Sequence, residues 1–399
     1  MRSTPLAIDG GPPVRAAGLP YGRHDVGDDD VAAVAAVLRS DAITQGRQVA
    51  LFEQAVADYC DAEHAVAFST GTAALHAACA AAGLGPGDEA ITTPLTFAAT
   101  ANAVAYCGAT PVFADIRHDT LNIDPRAVEK RLSARTKVIL PVDFAGQPAD
   151  LDAIREIADD RGAITIEDAC HALGARSRGR KIGRLSTMTV FSFHPVKHVT
   201  TGEGGMVVTA DAGLAARLRT FRHHGIEYPD PARPWRYEIR QLGQNYRLTD
   251  FQCALGLSQL RSLDERLERR RVLSRSYDAA LRGLKEVRLP AVAAEDVHAW
   301  HIFVVLLELE RLRVDRDAAI RALRAENIGV TVHYPLVHQH PFYRERYGYG
   351  EGLCPVAEAI APRLLTLPLF PSMTEGDVAD VVTALDKVLA AFKADGASG

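Results

Sequence analysis

Two hydrophobic rhythms alternate between about residue 60 and residue 210. Short apolar runs predict strands at Ala65–Ser69, Ala90–Thr93, Pro111–Ala114, Lys137–Val142, Ala163–Ile166 and Thr189–Phe193. Between them, Thr72–Ala82 and Thr96–Tyr106 predict helices, and Gly83-Leu-Gly-Pro-Gly-Asp88 is a turn. Strands interleaved with helices imply an α/β fold whose mostly parallel sheet is covered on both faces. Ligands on such sheets bind beyond the carboxyl ends of the strands, so the loops there are the places to look for chemistry.

The rhythm changes after residue 249. Thr249-Asp250 can cap a helix, and Phe251, Ala254, Leu257, Leu260, Leu263 and Leu267 then recur at steps of three or four, marking one apolar face. Glu268-Arg-Arg-Arg-Val272 follows as an expected solvated face. Ile302–Leu309 as a strand, Asp315–Glu326 as a helix, Gly329–Val332 as a strand and Thr374–Lys393 as a helix predict a smaller α+β unit. The expected division is a large domain over 1–260, with an N-terminal arm, and a small C-terminal domain over 261–399, whose last residues, Ala394–Gly399, should fray.

Composition narrows the function classes. The chain has 399 residues, 47% apolar and 24% charged, with 45 basic against 50 acidic side chains. These are ordinary globular values, and a net charge of −5 gives no reason to expect a nucleic-acid or membrane-surface protein. No run of about 18 apolar residues is present to span a bilayer, and the opening residues carry no leader-like apolar stretch. None of the six cysteines forms a Cys-x-x-Cys pair, so no metal site is expected and a reducing, cytoplasmic setting is.

Four local features carry candidate chemistry. In Ser69-Thr-Gly-Thr-Ala-Ala-Leu-His76 a strand ends in a small-residue turn that opens a helix; the unpaired N–H groups there suit a phosphate, or the turn is simply a tight cap. Ile164-Thr-Ile-Glu-Asp-Ala-Cys-His171 delivers Asp168 at a strand's carboxyl end, where it can hold a cationic ring nitrogen or cap a helix; His171 can stack on a ligand or sit in the core. Phe191-Ser-Phe-His-Pro-Val-Lys197 places one lysine after a buried strand and before Gly202-Glu-Gly-Gly205, with Ser192 available to a phosphate. Such a lysine is a carbonyl nucleophile if partly dry, or a surface residue if not. Gly243-Gln-Asn-Tyr-Arg-Leu-Thr-Asp250 is a polar loop before the long helix. Together, a phosphate cradle, a carboxylate and then a lysine are what pyridoxal 5'-phosphate requires. Their chain order, Thr72, Asp168, Lys197, fits the fold type I arrangement.

These motifs, with Phe144-Ala-Gly-Gln-Pro148 and Val332-His-Tyr-Pro-Leu-Val-His338, resemble the DegT/DnrJ/EryC1/StrS sugar aminotransferases from about residue 20 to 385, nearest to the pseudaminic-acid branch. The resemblance implies a fold type I transferase dependent on pyridoxal phosphate, moving an amino group from glutamate to C4 of a UDP-4-keto-6-deoxy-N-acetylhexosamine. Another UDP- or dTDP-4-keto hexose is the rival acceptor, and a non-catalytic cofactor-binding protein the rival class. Residue by residue, the resemblance implies that Lys197 carries the cofactor and moves protons, and that Asp168 pairs with the ring nitrogen. Thr72, Ala73 and Ser192 would hold the phosphate, Phe97 would stack on the ring and His171 would lie beside it. Asn245 would reach the cofactor of a partner subunit, making a homodimer the active unit, and His333, Tyr334 and His338 would lie near the sugar nucleotide. Ser69-Thr70 and Cys170 depart from the family's usual Asn-Ser and Ala without removing a catalytic group.

Overall fold

A computed structural model describes residues 5–230, 232–233 and 235–394; the tail expected to fray lies mostly outside them. The centre is a seven-stranded sheet: β1 (His64–Phe68), β2 (Glu89–Thr92), β3 (Thr110–Phe113), β4 (Thr136–Leu140), β5 (Ile164–Asp168), β6 (Met188–Ser192) and β7 (Gly205–Thr209), in the order β1-β7-β6-β5-β4-β2-β3. Strands β6, β5, β4, β2 and β3 pair in parallel, while β7 runs antiparallel to both β1 and β6. The sheet is therefore mostly parallel and mixed, an α/β arrangement, and β5 and β6 end side by side.

The strands are buried on both faces, which is why they read as continuous apolar runs. In β1, Val66 and Phe68 face one helical layer and Ala65 and Ala67 the other, the period of two that a pleated strand imposes. One layer holds α3 (Gly71–Ala81), α4 (Ala99–Tyr106) and α7 (Ala212–Arg222); α2 (Arg47–Cys60), α5 (Pro125–Arg131), α6 (Leu151–Arg161) and α8 (Asp250–Arg261) lie across the sheet, and α1 (Asp28–Leu38) packs on α8. Alanines in α3 let it press closely onto the sheet.

The apolar face expected to run unbroken from Phe251 to Leu267 is split. α8 ends at Arg261, and after Ser262 α9 (Leu263–Leu281) starts. Leu263 and Leu267 pack in the large core, whereas Leu273, Tyr277 and Leu281 belong to a second core. That second core covers an antiparallel sheet of β8 (Val287–Arg288), β9 (Phe303–Leu307) and β10 (Leu364–Leu367), flanked by α10 (Arg316–Ala325) and α13 (Glu375–Ala391), while α11 (Pro341–Tyr347) and α12 (Pro355–Ile360) pack in a cluster with Val304 and Leu306. Leu6 and Leu19 of the N-terminal segment join it, and the Glu326 carboxylate accepts from the Ala7 and Val14 N–H groups. Gly329–Val332 forms no strand; Thr331 makes only an isolated bridge to Thr366.

The charged run after Leu267 is not wholly a solvated face. Arg270 is 2% exposed, and its Nη1 donates to the carbonyls of Trp300, His301 and Leu369. These carbonyls take up Nη1, while the buried Nε has no hydrogen-bond partner among the described residues, and burial lowers the guanidinium's pKa to about 10.

Candidate active site

The site forms where β5 and β6 end under the start of α3. Asp168, the last residue of β5, is 5% exposed. No helix follows it to be capped. Its Oδ2 accepts from Thr100 Oγ1 at 2.7 Å, and its Oδ1 from the Cys170 N–H at 3.2 Å. Both donors are neutral, and among the described residues no cation pairs with this carboxylate. A buried anion held by neutral donors alone is under-compensated, which suits a protonated ring nitrogen.

Lys197 lies in the turn after β6. Its Nζ is 3.3 Å from His301 Nε2, with no carboxylate in ion-pairing reach among the described residues. Burial lowers its pKa to about 8 against the opposing pull of Cys170 and Asp168, while Arg270 adds to the lowering. About a tenth of this amine is therefore neutral, and nucleophilic, at pH 7, and about half at pH 8.

At the head of α3, Thr70 caps the helix by accepting from the Ala73 N–H at 2.9 Å. The expected Ala73 donor is thus engaged, and the N–H groups of Gly71 and Thr72 have no partner inside the helix. A Cβ on Gly71 would come within 2.9 Å of Ser192 Cβ, and one on Gly205 within 2.4 Å of the Thr70 carbonyl oxygen. Glycine at both positions brings the helix end down beside the Ser192 hydroxyl. This open helix terminus with its hydroxyl suits a phosphate, so phosphate, ring nitrogen and aldehyde of pyridoxal phosphate each find a fitting group here.

His171 and Tyr334 close another side. Tyr334 Oη is 3.0 Å from His171 Nε2, and the His171 and His301 ring centroids are 4.4 Å apart. Burial keeps both imidazoles well below their ordinary pKa, hence neutral. Phe97 is 60% exposed, its ring centroid 6.0 Å from that of Tyr334. His333 bonds Thr366 Oγ1 at 3.0 Å and stands edge-on to Tyr334; burial lowers its pKa to about 4. The structure thus gathers Lys197, Asp168, His171, Tyr334 and His333, with Ser192 and Thr72 together at the head of α3. His338 stands apart: its ring is fully buried beside Phe113, with Nε2 3.0 Å from Glu358 Oε1. Asn245 is exposed, in a segment bridged to His223.

Three site residues were not anticipated from the sequence. Thr100 lies one helical turn past Thr96, whose Oγ1 it meets at 2.8 Å, and the helix expected from Thr96 begins only at Ala99. His301 sits just before β9, where His298-Ala-Trp-His301 interrupts an otherwise apolar approach to a strand; that polar interruption was the available signal. Arg270 had none, because only tertiary packing supplies its carbonyls.

This fold and site define a fold type I, pyridoxal-phosphate-dependent sugar aminotransferase. Residues 24–386 match the DegT/DnrJ/EryC1/StrS aminotransferase family, and the chain belongs to it. Spore coat polysaccharide biosynthesis protein SpsC of Bacillus subtilis is 41% identical over 377 residues, covering 93% of this chain and 97% of that protein. Among solved structures, Helicobacter pylori PseC, an aminotransferase of pseudaminic acid biosynthesis, superposes with a TM-score of 0.89 at 30% identity, covering 94% of this chain and all of PseC. The putative sugar aminotransferase Spr1654 of Streptococcus pneumoniae, solved in its PLP and PMP forms, superposes with TM-scores of 0.88 and 0.89 at 26% and 27% identity, each covering 94% of this chain and 99% of that one. No helix among the described residues is long and apolar enough to cross a membrane.

Proposed function

We propose that this aminotransferase takes the amino group of glutamate and places it on C4 of a UDP-4-keto-6-deoxy-N-acetylhexosamine, as in a pseudaminic-acid type pathway. The observation that carries the chemistry is that, among the described residues, buried Asp168 at the end of β5 has no paired cation and Lys197 in the turn after β6 no paired anion. Full-length likeness to PseC supports the acceptor. The higher identity to SpsC favours a second reading, an acceptor destined for another surface polysaccharide, with the same core chemistry. Intact Lys197 and Asp168 speak against a purely cofactor-binding protein.

When bound, pyridoxal phosphate supplies the electron sink and carries the amino group between half-reactions. Lys197, as a neutral amine, takes the proton from the donor's Cα and later returns one to the sugar carbon. Asp168, oriented by the Thr100 hydroxyl and the Cys170 N–H, keeps the ring nitrogen protonated. Gly71, Thr72 and Ser192 anchor the phosphate, and the His171–Tyr334 pair walls the site. His333 is assigned to the nucleotide-sugar side and Phe97 to the ring, whereas His338, buried against Glu358, is left without a contact to the sugar. Exposed Asn245 fits a homodimer in which it reaches the partner's cofactor. Six free cysteines suit a cytoplasmic setting.

Purified enzyme given glutamate and a panel of UDP- and dTDP-4-keto sugars, with C4 stereochemistry read by NMR, tests the assignment. Amination of the UDP-N-acetyl sugar alone is expected. Exclusive use of a dTDP-hexose refutes the acceptor, and no amination of any 4-keto sugar refutes the reaction.

A further inference from the structure

The contact between Lys197 Nζ and His301 Nε2 has a direction that the rest of the ring decides. His301 is buried, and its Nδ1 has no hydrogen-bond partner. A proton on Nδ1 would be a buried N–H without an acceptor, an arrangement native proteins avoid. A proton on Nε2 instead leaves Nδ1 as an unused lone pair, a milder defect, and aims an N–H at Nζ. An ammonium offers only further N–H groups to such a donor; a neutral amine offers its lone pair.

The same logic applies around the ring. His171 also has an unpartnered buried Nδ1, so its Nε2–H donates to Tyr334 Oη. The His198 Nε2–H donates to the Ala299 carbonyl at 2.9 Å, and the Trp300 N–H donates to His298 Nδ1 at 2.8 Å. The backbone behind His301 is pinned. Ala299 N–H donates to the Gly146 carbonyl and His301 N–H to that of Ala145, at 2.8 and 2.9 Å, while the His301 carbonyl accepts from Arg270. Trp300 is left-handed at φ +51, and a Cβ on Gly146 would meet its nitrogen at 2.9 Å. A strained kink held by this many bonds aims one ring at one amine.

We propose that His301 is a positioning residue for the reacting amine: its Nε2–H donates to the Lys197 lone pair and holds Lys197 in the neutral form between proton transfers. This role rests on the aminotransferase reading. Lys197 alone gains and loses the proton; His301 stays neutral throughout, and its facing N–H disfavours the ammonium, easing the onward transfer. The other groups facing Nζ are Asp168 and Cys170 at the end of β5, which favour the charged amine, Arg270 from α9, which opposes it, and neutral His171, His198 and His333.

The test titrates Lys197 in the apoenzyme by the pH dependence of its reductive methylation, read by peptide mass. Wild type should titrate near 8. His301→Phe keeps the site dry and removes the donor, so the midpoint should rise by roughly one pH unit, the worth of one neutral hydrogen bond. His301→Gln, whose amide can place an N–H near the Nε2 position, should restore most of the shift. In the holoenzyme, the acid limb of kcat should move up with that midpoint while KM for the amino donor holds. An unchanged or lowered midpoint in His301→Phe overturns the proposal. So does a 15N spectrum of wild-type apoenzyme that places the His301 proton on Nδ1, a readout that needs only a folded wild-type chain. If the protein bound no pyridoxal phosphate, the aminotransferase reading would fail while the apoenzyme titration stayed readable, so the two failures are distinct.

Discussion

Asp143 and Glu167, both completely buried, face each other just behind Asp168. The Asp143 N–H donates to the Asp168 carbonyl. Asp143 Oδ1 accepts from the Ala149 N–H and Glu167 Oε2 from Thr189 Oγ1, leaving Asp143 Oδ2 and Glu167 Oε1 without a donor. One proton between the two carboxyls satisfies both oxygens at once. Burial and the Glu167 charge push the Asp143 carboxyl well above its ordinary pKa, and burial raises Glu167 as well; hydroxyl donors at Glu167 favour the charge there and the proton on Asp143. The unfolded chain releases this proton above about pH 4. Between that point and the pair's own titration the folded state binds one more proton than the unfolded, so the pair's contribution is full at low pH and is lost as pH rises, by about 1.4 kcal/mol per unit. Asp143→Asn keeps a donor toward Glu167 and binds no proton in either state. Urea unfolding of apoenzyme at pH 6, 7 and 8 should therefore show the variant gaining on wild type as pH rises, by up to about 1.4 kcal/mol per unit. Parallel stability curves for the two proteins would refute the shared proton.

Other outcomes follow from the same geometry. Gly71→Ala places a methyl against Ser192 and should weaken binding of pyridoxal phosphate at least tenfold in equilibrium dialysis, with the fold unchanged by circular dichroism. Thr100→Val removes a hydroxyl from the Asp168 carboxylate. At about 1.5–3 kcal/mol for a charged hydrogen bond, kcat/KM should fall roughly ten- to a hundredfold. Arg270→Leu strands three carbonyls between the cores and should cost at least about 3 kcal/mol in urea unfolding.

The sheet was legible because its strands are buried on both faces and bounded by glycine-rich turns, so each apolar run carried its own limits. β7 was less so: Gly205-Met-Val-Val-Thr209 follows a glycine bend, and only pairing with β1 and β6 defines its direction. Asp168 could be found because it ends a strand, and Lys197 because it follows one just before a glycine-rich bend. His301, Thr100 and the buried role of Arg270 depend on contacts between segments that are 68 to 104 residues apart, or on carbonyls from two distant segments, and no local pattern encodes those. The break at Ser262 was hidden for a related reason: the apolar face keeps its spacing across it, and Leu263 and Leu267 beyond it still pack in the same core.

The central claim is that Lys197 is the residue that binds the cofactor covalently. Holoenzyme reconstituted with pyridoxal phosphate, reduced with borohydride, digested and mapped by mass spectrometry tests it directly. A single pyridoxyl group on the peptide bearing Lys197, absent when glutamate is added before reduction, is the expected result. A label on any other lysine, or none on Lys197, would contradict the account.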